Sequence, residues 1–314
     1  MTASTTQAGL GETSRLLPAG SCDAHSHVFG PAERFPYAPD AAFVPEDAPK
    51  ERLIALHESL GIARGVIVQS TCHGYDHSAL VDALQSKPGC FRGVALIAPG
   101  VSSAELADLG QAGVCGFRLN FMPHLGRSPS RAEIEATVRA VGDRGWHAEI
   151  HVSGTGIAEW ADMIASLPIP AVVDHMARID LRSPDGPACV DALKRLLDGG
   201  NVWVKVSGID RLTPDGQLPY QPGVDLARTL VEAAPDRVVW GTDFPHVNIT
   251  GPVPDDRDLV ERLFDIAPSG QLLHKVLVLN PVRLFGFPAL TETDGSCDPA
   301  RPAAASHRQE NGDR

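Results

Sequence analysis

Two histidines spaced two residues apart, His25 and His27 in DAHSHVF, are the first residues in this sequence whose types and spacing could do chemistry. In an extended strand, residues two apart point to the same side, so both imidazoles can chelate one metal ion or aim at one substrate oxygen. Alone, such a pair says little. Three later segments add to it: WHAEIHV brings His151, VVDHM brings His175 and VVWGTDFPH brings Asp243. Each falls at the end of a short β-branched run. Imidazoles and a carboxylate buried without partners would cost several kcal/mol, so the set is expected to serve one another, a metal or a substrate.

Arginines follow the same pattern. Arg118 lies inside GFRLNF, an apolar setting where a charged side chain must find a partner or line a cavity. Arg178 follows His175 in DHMAR, and Arg211 lies in VSGIDRL. Three guanidiniums near one mouth would dock carboxylate or sulfonate groups. The plainer alternative pairs Arg178 and Arg211 with Asp180 and Asp210 on a solvated surface. Thr71, Cys72 and His73 in QSTCHG could supply hydrogen bonds to a substrate, and His124 could replace or supplement an arginine. Phe29, Phe35, Tyr37 and Phe43 are expected to line or cap the first loop, and His246 to stand behind Asp243. His57, His77, His147 and His274 are expected to be surface or packing residues.

These residues need a scaffold that gathers strand ends. Eight runs read as strands: Cys22–Phe29, Gly65–Gln69, Gly93–Ala98, Gly116–Asn120, His147–Val152, Ala171–His175, Val202–Ser207 and Val238–Thr242. Amphipathic stretches such as Pro49–Leu60, Ser130–Arg144 and Asp256–Ile266 alternate with them. That alternation predicts an α/β fold, a single (β/α)8 barrel whose strands end at one shared mouth. An open doubly wound sheet is the alternative, but no GxGxxG or GxxxxGK[ST] loop supports it. An extra C-terminal helix, Gln271–Leu284, is expected on the barrel's outside, broken or bent at Asn280–Pro281. Residues 1–18 read as a flexible leader, 19–288 as the barrel domain and 289–314 as a disordered tail with too little apolar content to fold.

Composition bounds the partners. The 314 residues are 43% hydrophobic, enough for one large core, and 27 Lys+Arg against 39 Asp+Glu leave a formal net charge of −12. An acidic surface argues against nucleic acid or an anionic membrane. No apolar run approaches the roughly 20 residues of a membrane span, and no secretory signal is visible, so a cytoplasmic location is expected. Six scattered cysteines without a CxxC pair read as free thiols.

Taken together, DAHSHVFGP, VIVQSTCHGYD, GFRLNF, VVDHMAR, VWVKVSG and VVWGTDFPHVN resemble the lactonase branch of the amidohydrolase superfamily, from about residue 20 to residue 287. The resemblance implies a distorted (β/α)8 barrel that opens a small anionic lactone, as in aromatic-compound degradation. It implies that His25, His27 and His175 surround the lactone carbonyl, that Asp243 deprotonates the attacking water, and that Arg118, Arg178 and Arg211 hold substrate anions. Where members of the branch carry a further arginine after strand four, a tyrosine in the first loop and a tyrosine ending strand five, this chain has His124, Phe43 and His151. A strand-five histidine is what metal-binding members of the superfamily carry. The resemblance therefore favours one Zn²⁺ on His25, His27, His151 and Asp243, with His175 polarising the carbonyl. A metal-free lactonase or lactone isomerase using Asp243 as base, a decarboxylase of an aromatic or muconate acid, and a silent binding barrel stay open. So does assembly into a homo-oligomer.

Overall fold

The computed structural model describes residues 15–213, 216–249 and 251–289. The expected leader and tail lie largely outside these residues. Eight strands pair in parallel and in chain order: β1 (Cys22–Ser26), β2 (Arg64–Val68), β3 (Phe91–Ala95), β4 (Val114–Asn120), β5 (His147–His151), β6 (Ala171–Val173), β7 (Val202–Lys205) and β8 (Val238–Val239). The seam between β8 and β1 is closed by three backbone hydrogen bonds, each 2.8 Å. Ala24 N–H donates to Trp240 O, Asp243 N–H to His25 O, and His27 N–H to Phe244 O. This is a closed barrel rather than an open sheet.

Helices return the chain between strands: α1 (Lys50–Leu60), α2 (Ser78–Ser86), α3 (Ser103–Ala112), α4 (Arg131–Val141), α5 (Gly156–Ala165), α6 (Gly186–Asp198), α7 (Gln221–Ala233) and α8 (Asp256–Ile266). Their starts are written locally; Ser130 and Glu133 form a reciprocal capping box at α4. The two-residue period of the strands sorts the core into two layers. Ile67, Phe117, Ile150 and Val204 pack outward with helix residues such as Leu53, Leu84, Ile134 and Leu193. Val66, Val94, Val172, Trp203 and Val239 form a separate inner cluster.

β1 breaks that period. Cys22 and Ala24 belong to the inner cluster, while Asp23 bonds His57 of α1 at 3.1 Å. The register against β2 then shifts between Asp23 and Ser26, and past the shift both His25 and His27 reach the barrel's interior mouth. Such an irregularity re-aims side chains at a strand end.

At the C-terminus, α9 (Gly270–His274), a π-helical stretch (Lys275–Leu279) and α10 (Asn280–Phe285) form one continuous helical run. The run continues through Asn280–Pro281, where a break or a bend was expected. Proline cannot donate to the preceding turn and crowds its carbonyl, and the wider π turn just before it accommodates both. The run packs beside β1 and β8, but its end does not stay outside. Phe285 and Phe287 join the inner cluster and plug the barrel beneath its N-terminal strand ends.

Candidate active site

Asp243 follows β8 in the left-handed region, at φ 66°. Its Oδ2 accepts from Arg211 Nε at 2.8 Å and lies 2.7 Å from Arg211 Nη2. Its Oδ1 faces three imidazole Nε2 atoms, those of His27 at 3.5 Å, His25 at 3.8 Å and His175 at 3.8 Å. Burial alone would raise this carboxyl's pKa. The Arg211 guanidinium, followed by His175, overcomes that and holds it well below the usual carboxylate range. Asp243 is therefore an anion at neutral pH.

The partner of each Nδ1 decides what its Nε2 presents. His27 Nδ1 lies 2.6 Å from Val68 O, a group that only accepts, so Nδ1 carries a hydrogen and, in the neutral ring, Nε2 offers the lone pair. His25 Nδ1 has neighbours of both kinds: Lys205 Nζ, which only donates, at 3.1 Å, and the carboxylate oxygens of Asp174 at 3.2 Å and Glu149 at 3.4 Å. His175 Nδ1 is 2.9 Å from the Ser207 hydroxyl. His151 is anchored through Nδ1 to Asn120 Oδ1 at 3.0 Å, and its buried Nε2 has no hydrogen-bond partner. Burial, reinforced by neighbouring cations, pushes His25 and His151 well below the ordinary imidazole range. His175 falls to about 3, again mainly through burial. All three are neutral at pH 7.

His175 stands in an unusual segment. From His175 to Arg178, four consecutive non-glycine residues have φ between 45° and 56°. Left-handed backbone costs about 1 kcal/mol or more per such residue and persists only where surroundings enforce it. Here Arg118 grips Asp174 Oδ2 through Nε and Nη2 at 3.2 and 2.9 Å, Gly154 N–H donates to Ala177 O, and Met176 and Ala177 are fully buried. The strand expected to run to His175 thus stops at Val173, and the turn delivers His175 and Arg178 to the mouth.

The arginines divide. Arg118 is bound to Asp174 and Arg211 to Asp243, while Asp180 takes Arg182 instead of Arg178. Arg178 is half-buried with an unpartnered Nε, and burial lowers its pKa to about 10, so it remains charged. All three line a narrow cavity of about 30 Å³ with His27, His151, His175 and Asp243; His124 and Phe43 are also in its wall. Thr71 instead lines an adjoining cavity of about 430 Å³, which shares Arg118 with the first, and its buried hydroxyl has no partner. His246 bonds Asp256 at 3.0 Å beside the mouth.

The sequence pattern of the family described as Amidohydrolase matches residues 22–287, the whole barrel. The chain belongs to the amidohydrolase family. It is 43% identical over 277 residues to the 2-pyrone-4,6-dicarboxylate hydrolase of Comamonas testosteroni, covering 86% of this chain and 91% of that protein. It is 38% identical over 278 residues to the 4-sulfomuconolactone hydrolase of Hydrogenophaga intermedia, covering 86% and 90%. A crystal structure of an Agrobacterium tumefaciens protein superposes with a TM-score of 0.76 at 25% identity, covering 86% of this chain and 97% of that one.

In this amidohydrolase, ligand atoms of His25, His27 and Asp243 lie within 4.8 Å of one another, as do those of His25, Asp174 and His175, and groups so spaced can hold a metal ion. Neither group includes His151, whose ring centroid is 6.0 Å from that of His175. Spacing is not the whole fit. A hydrogen on His25 Nε2 would leave that nitrogen no lone pair for a metal, whereas a hydrogen on Nδ1 would free it; Arg211 holds Asp243 Oδ2 and leaves Oδ1 facing the imidazoles.

Several residues that build the site are absent from the sequence expectations. Lys205 and Glu149 are fully buried and 2.7 Å apart inside the barrel, and Asp174 lies 3.5 Å from Lys205. Asp23 accepts from Thr242 N, Thr242 Oγ1 and His25 N, tying β1 to the loop after β8. The signal was a charge inside an apolar strand, in VWVKV and HAEIH. Among the described residues, Cys22, Cys72, Cys115 and Cys189 are free thiols.

Proposed function

We propose that this amidohydrolase hydrolyses the ring ester of a small anionic lactone. One observation carries the reading: Asp243 Oδ1 lies within 3.8 Å of three imidazole nitrogens. Asp243 Oδ1 and His27 Nε2 are two acceptors, matched to the two hydrogens of one water. That arrangement leaves the water's lone pair for the carbonyl carbon. His25 Nε2–H, together with His175 Nε2–H when the Ser207 hydroxyl donates to Nδ1, faces the carbonyl oxygen. These donors stabilise the charge that develops there. Asp243 takes the water proton as the C–O bond to water forms. Asp243 then returns the proton to the ring oxygen as the ester bond breaks.

The relatives' names support the substrate class, one being a dicarboxylate and the other a sulfo-substituted lactone. The cavity supports it too, with three guanidiniums and a single carboxylate in its wall. Every step runs on the chain's own groups. The spacing of His25, His27 and Asp243 could hold an ion, with His151 outside that group; a hydrogen on His25 Nε2, as in this reading, favours the metal-free course over zinc on His25, His27, His151 and Asp243. No helix among the described residues is long and apolar enough to cross a membrane.

The test is turnover of 2-pyrone-4,6-dicarboxylate and 4-sulfomuconolactone by the purified chain, before and after exhaustive chelation, with the product identified. A ring-opened acid is expected, with the rate unchanged by chelator. The Asp243→Asn variant should keep its fold and lose at least about 10³-fold in kcat. Near-normal turnover by that variant, or CO₂ as the product, would overturn the assignment.

A further inference from the structure

We propose that Lys205 is a positioning residue that fixes the tautomer of His25, so that the site presents a hydrogen rather than a lone pair at His25 Nε2. This rests on the lactone reading only for what the hydrogen does. The assignment itself rests on geometry below the site. Lys205 projects from β7 into the barrel and is fully buried. Its ammonium has three hydrogens and three acceptors around it: Glu149 Oε2 at 2.7 Å, His25 Nδ1 at 3.1 Å and Asp174 Oδ1 at 3.5 Å. Arg118 takes the other oxygen of Asp174. Lys205, Arg118, Glu149, Asp174 and the His25 imidazole are thus gathered in one buried cluster.

The network also says what would happen without Lys205. His25 Nδ1 would then face only carboxylates, Asp174 Oδ1 at 3.2 Å and Glu149 Oε1 at 3.4 Å. A carboxylate accepts, so the imidazole hydrogen would move to Nδ1, and Nε2 would turn a lone pair towards Asp243 Oδ1, 3.8 Å away. One buried ammonium therefore decides whether the strand-one pair is a donor beside an acceptor or two acceptors beside a carboxylate. The first arrangement suits an oxyanion and a water. The second suits a divalent cation.

The experiment is a long-range ¹H–¹⁵N correlation spectrum of the full chain with ¹⁵N-labelled histidine, recorded on the wild type, Lys205→Met and the charge-balanced Lys205→Met/Glu149→Gln. The His25 signals are assigned by their loss in His25→Gln. The wild type is expected to show His25 protonated at Nε2, and both variants at Nδ1. Co²⁺ titration followed by visible absorption should show binding in the variants that the wild type lacks. With a substrate in hand, the variants should lose about 10²- to 10³-fold in kcat while KM stays within about twofold, because the lost donor acts on the transition state. A wild-type His25 protonated at Nδ1 overturns the proposal even if no variant folds, as does an unchanged tautomer in a folded variant. If neither lactone is turned over, the lactone reading fails while the spectra still decide the role of Lys205.

Discussion

Of the three guanidiniums at the cavity, Arg178 alone has an Nε without a hydrogen-bond partner. Arg118 and Arg211 hold Asp174 and Asp243 in place, so their charges are already answered within the protein. Arg178 is thus the cation with capacity left for a substrate anion. A charge-assisted hydrogen bond contributes roughly 1.5–3 kcal/mol, which corresponds to about 10- to 100-fold in binding. Steady-state kinetics of Arg178→Gln on an anionic lactone should show KM raised by that factor and kcat changed less than about threefold. Equal loss in both parameters of a folded variant would instead put Arg178 at the reacting atoms. At this scale the sequence was legible for residue type and strand-end position, which brought out His25, His27, His175 and Asp243 from short motifs. It was not legible for pairing. Whether an arginine is free depends on Asp174 or Asp243, contributed by distant strands, and no spacing along the chain encodes that.

The elements that aim these residues depend on local departures from regularity. At the β1–β8 seam, Gly241 packs flat against β1. A Cβ there would meet His25 N and lie 2.7 Å from His25 Cβ and 2.9 Å from His25 Cα, all fixed atoms. Overpacking of this kind costs about 1–3 kcal/mol, and each kcal/mol lowers Tm by roughly 2–4 °C in a chain of this size. Gly241→Ala should therefore melt about 5 °C lower by calorimetry, with kcat falling as the seam pushes His25 away from Asp243. An unshifted Tm would mean that the seam yields without strain. Strand and helix identities were readable from period and composition. The register shift in β1, the left-handed run from His175 to Arg178 and the π turn before Pro281 were not. Each is imposed by tertiary packing on residues whose own preferences point elsewhere; no glycine marks the left-handed run, and a proline within a helical pattern ordinarily signals an end.

Across the whole molecule, eight alternations were enough to foresee the barrel, because only closure gives every strand two neighbours and every helix a covered face. What the barrel encloses governs its response to acid. His25, His151 and His175 are buried and neutral, with pKa values depressed below those of an unfolded chain. On acidification through about pH 6.5 the unfolded chain takes up protons that the folded one refuses, so stability present above that pH is lost as pH falls. Each imidazole contributes up to about 1.4 kcal/mol per pH unit in that window. Below about pH 4, Asp174 and Asp243, also held below their ordinary range, add to the loss in the same direction. Two effects oppose it. His246, raised by Asp256, favours the folded state below its ordinary pKa, and protonation reduces the self-repulsion of a net charge of −12. One histidine offsets part of the three. The surface repulsion acts across solvent and is screened beyond about 8–10 Å at ordinary salt, whereas the buried groups are not. Thermal melts at fixed ionic strength should therefore give a plateau in Tm between about pH 7 and pH 8 and a steepening fall from pH 6.5 to pH 4.5. A Tm that holds level to pH 4.5 would mean that these imidazoles are protonated in the folded protein, and the donor and acceptor assignments around Asp243 would fall with them.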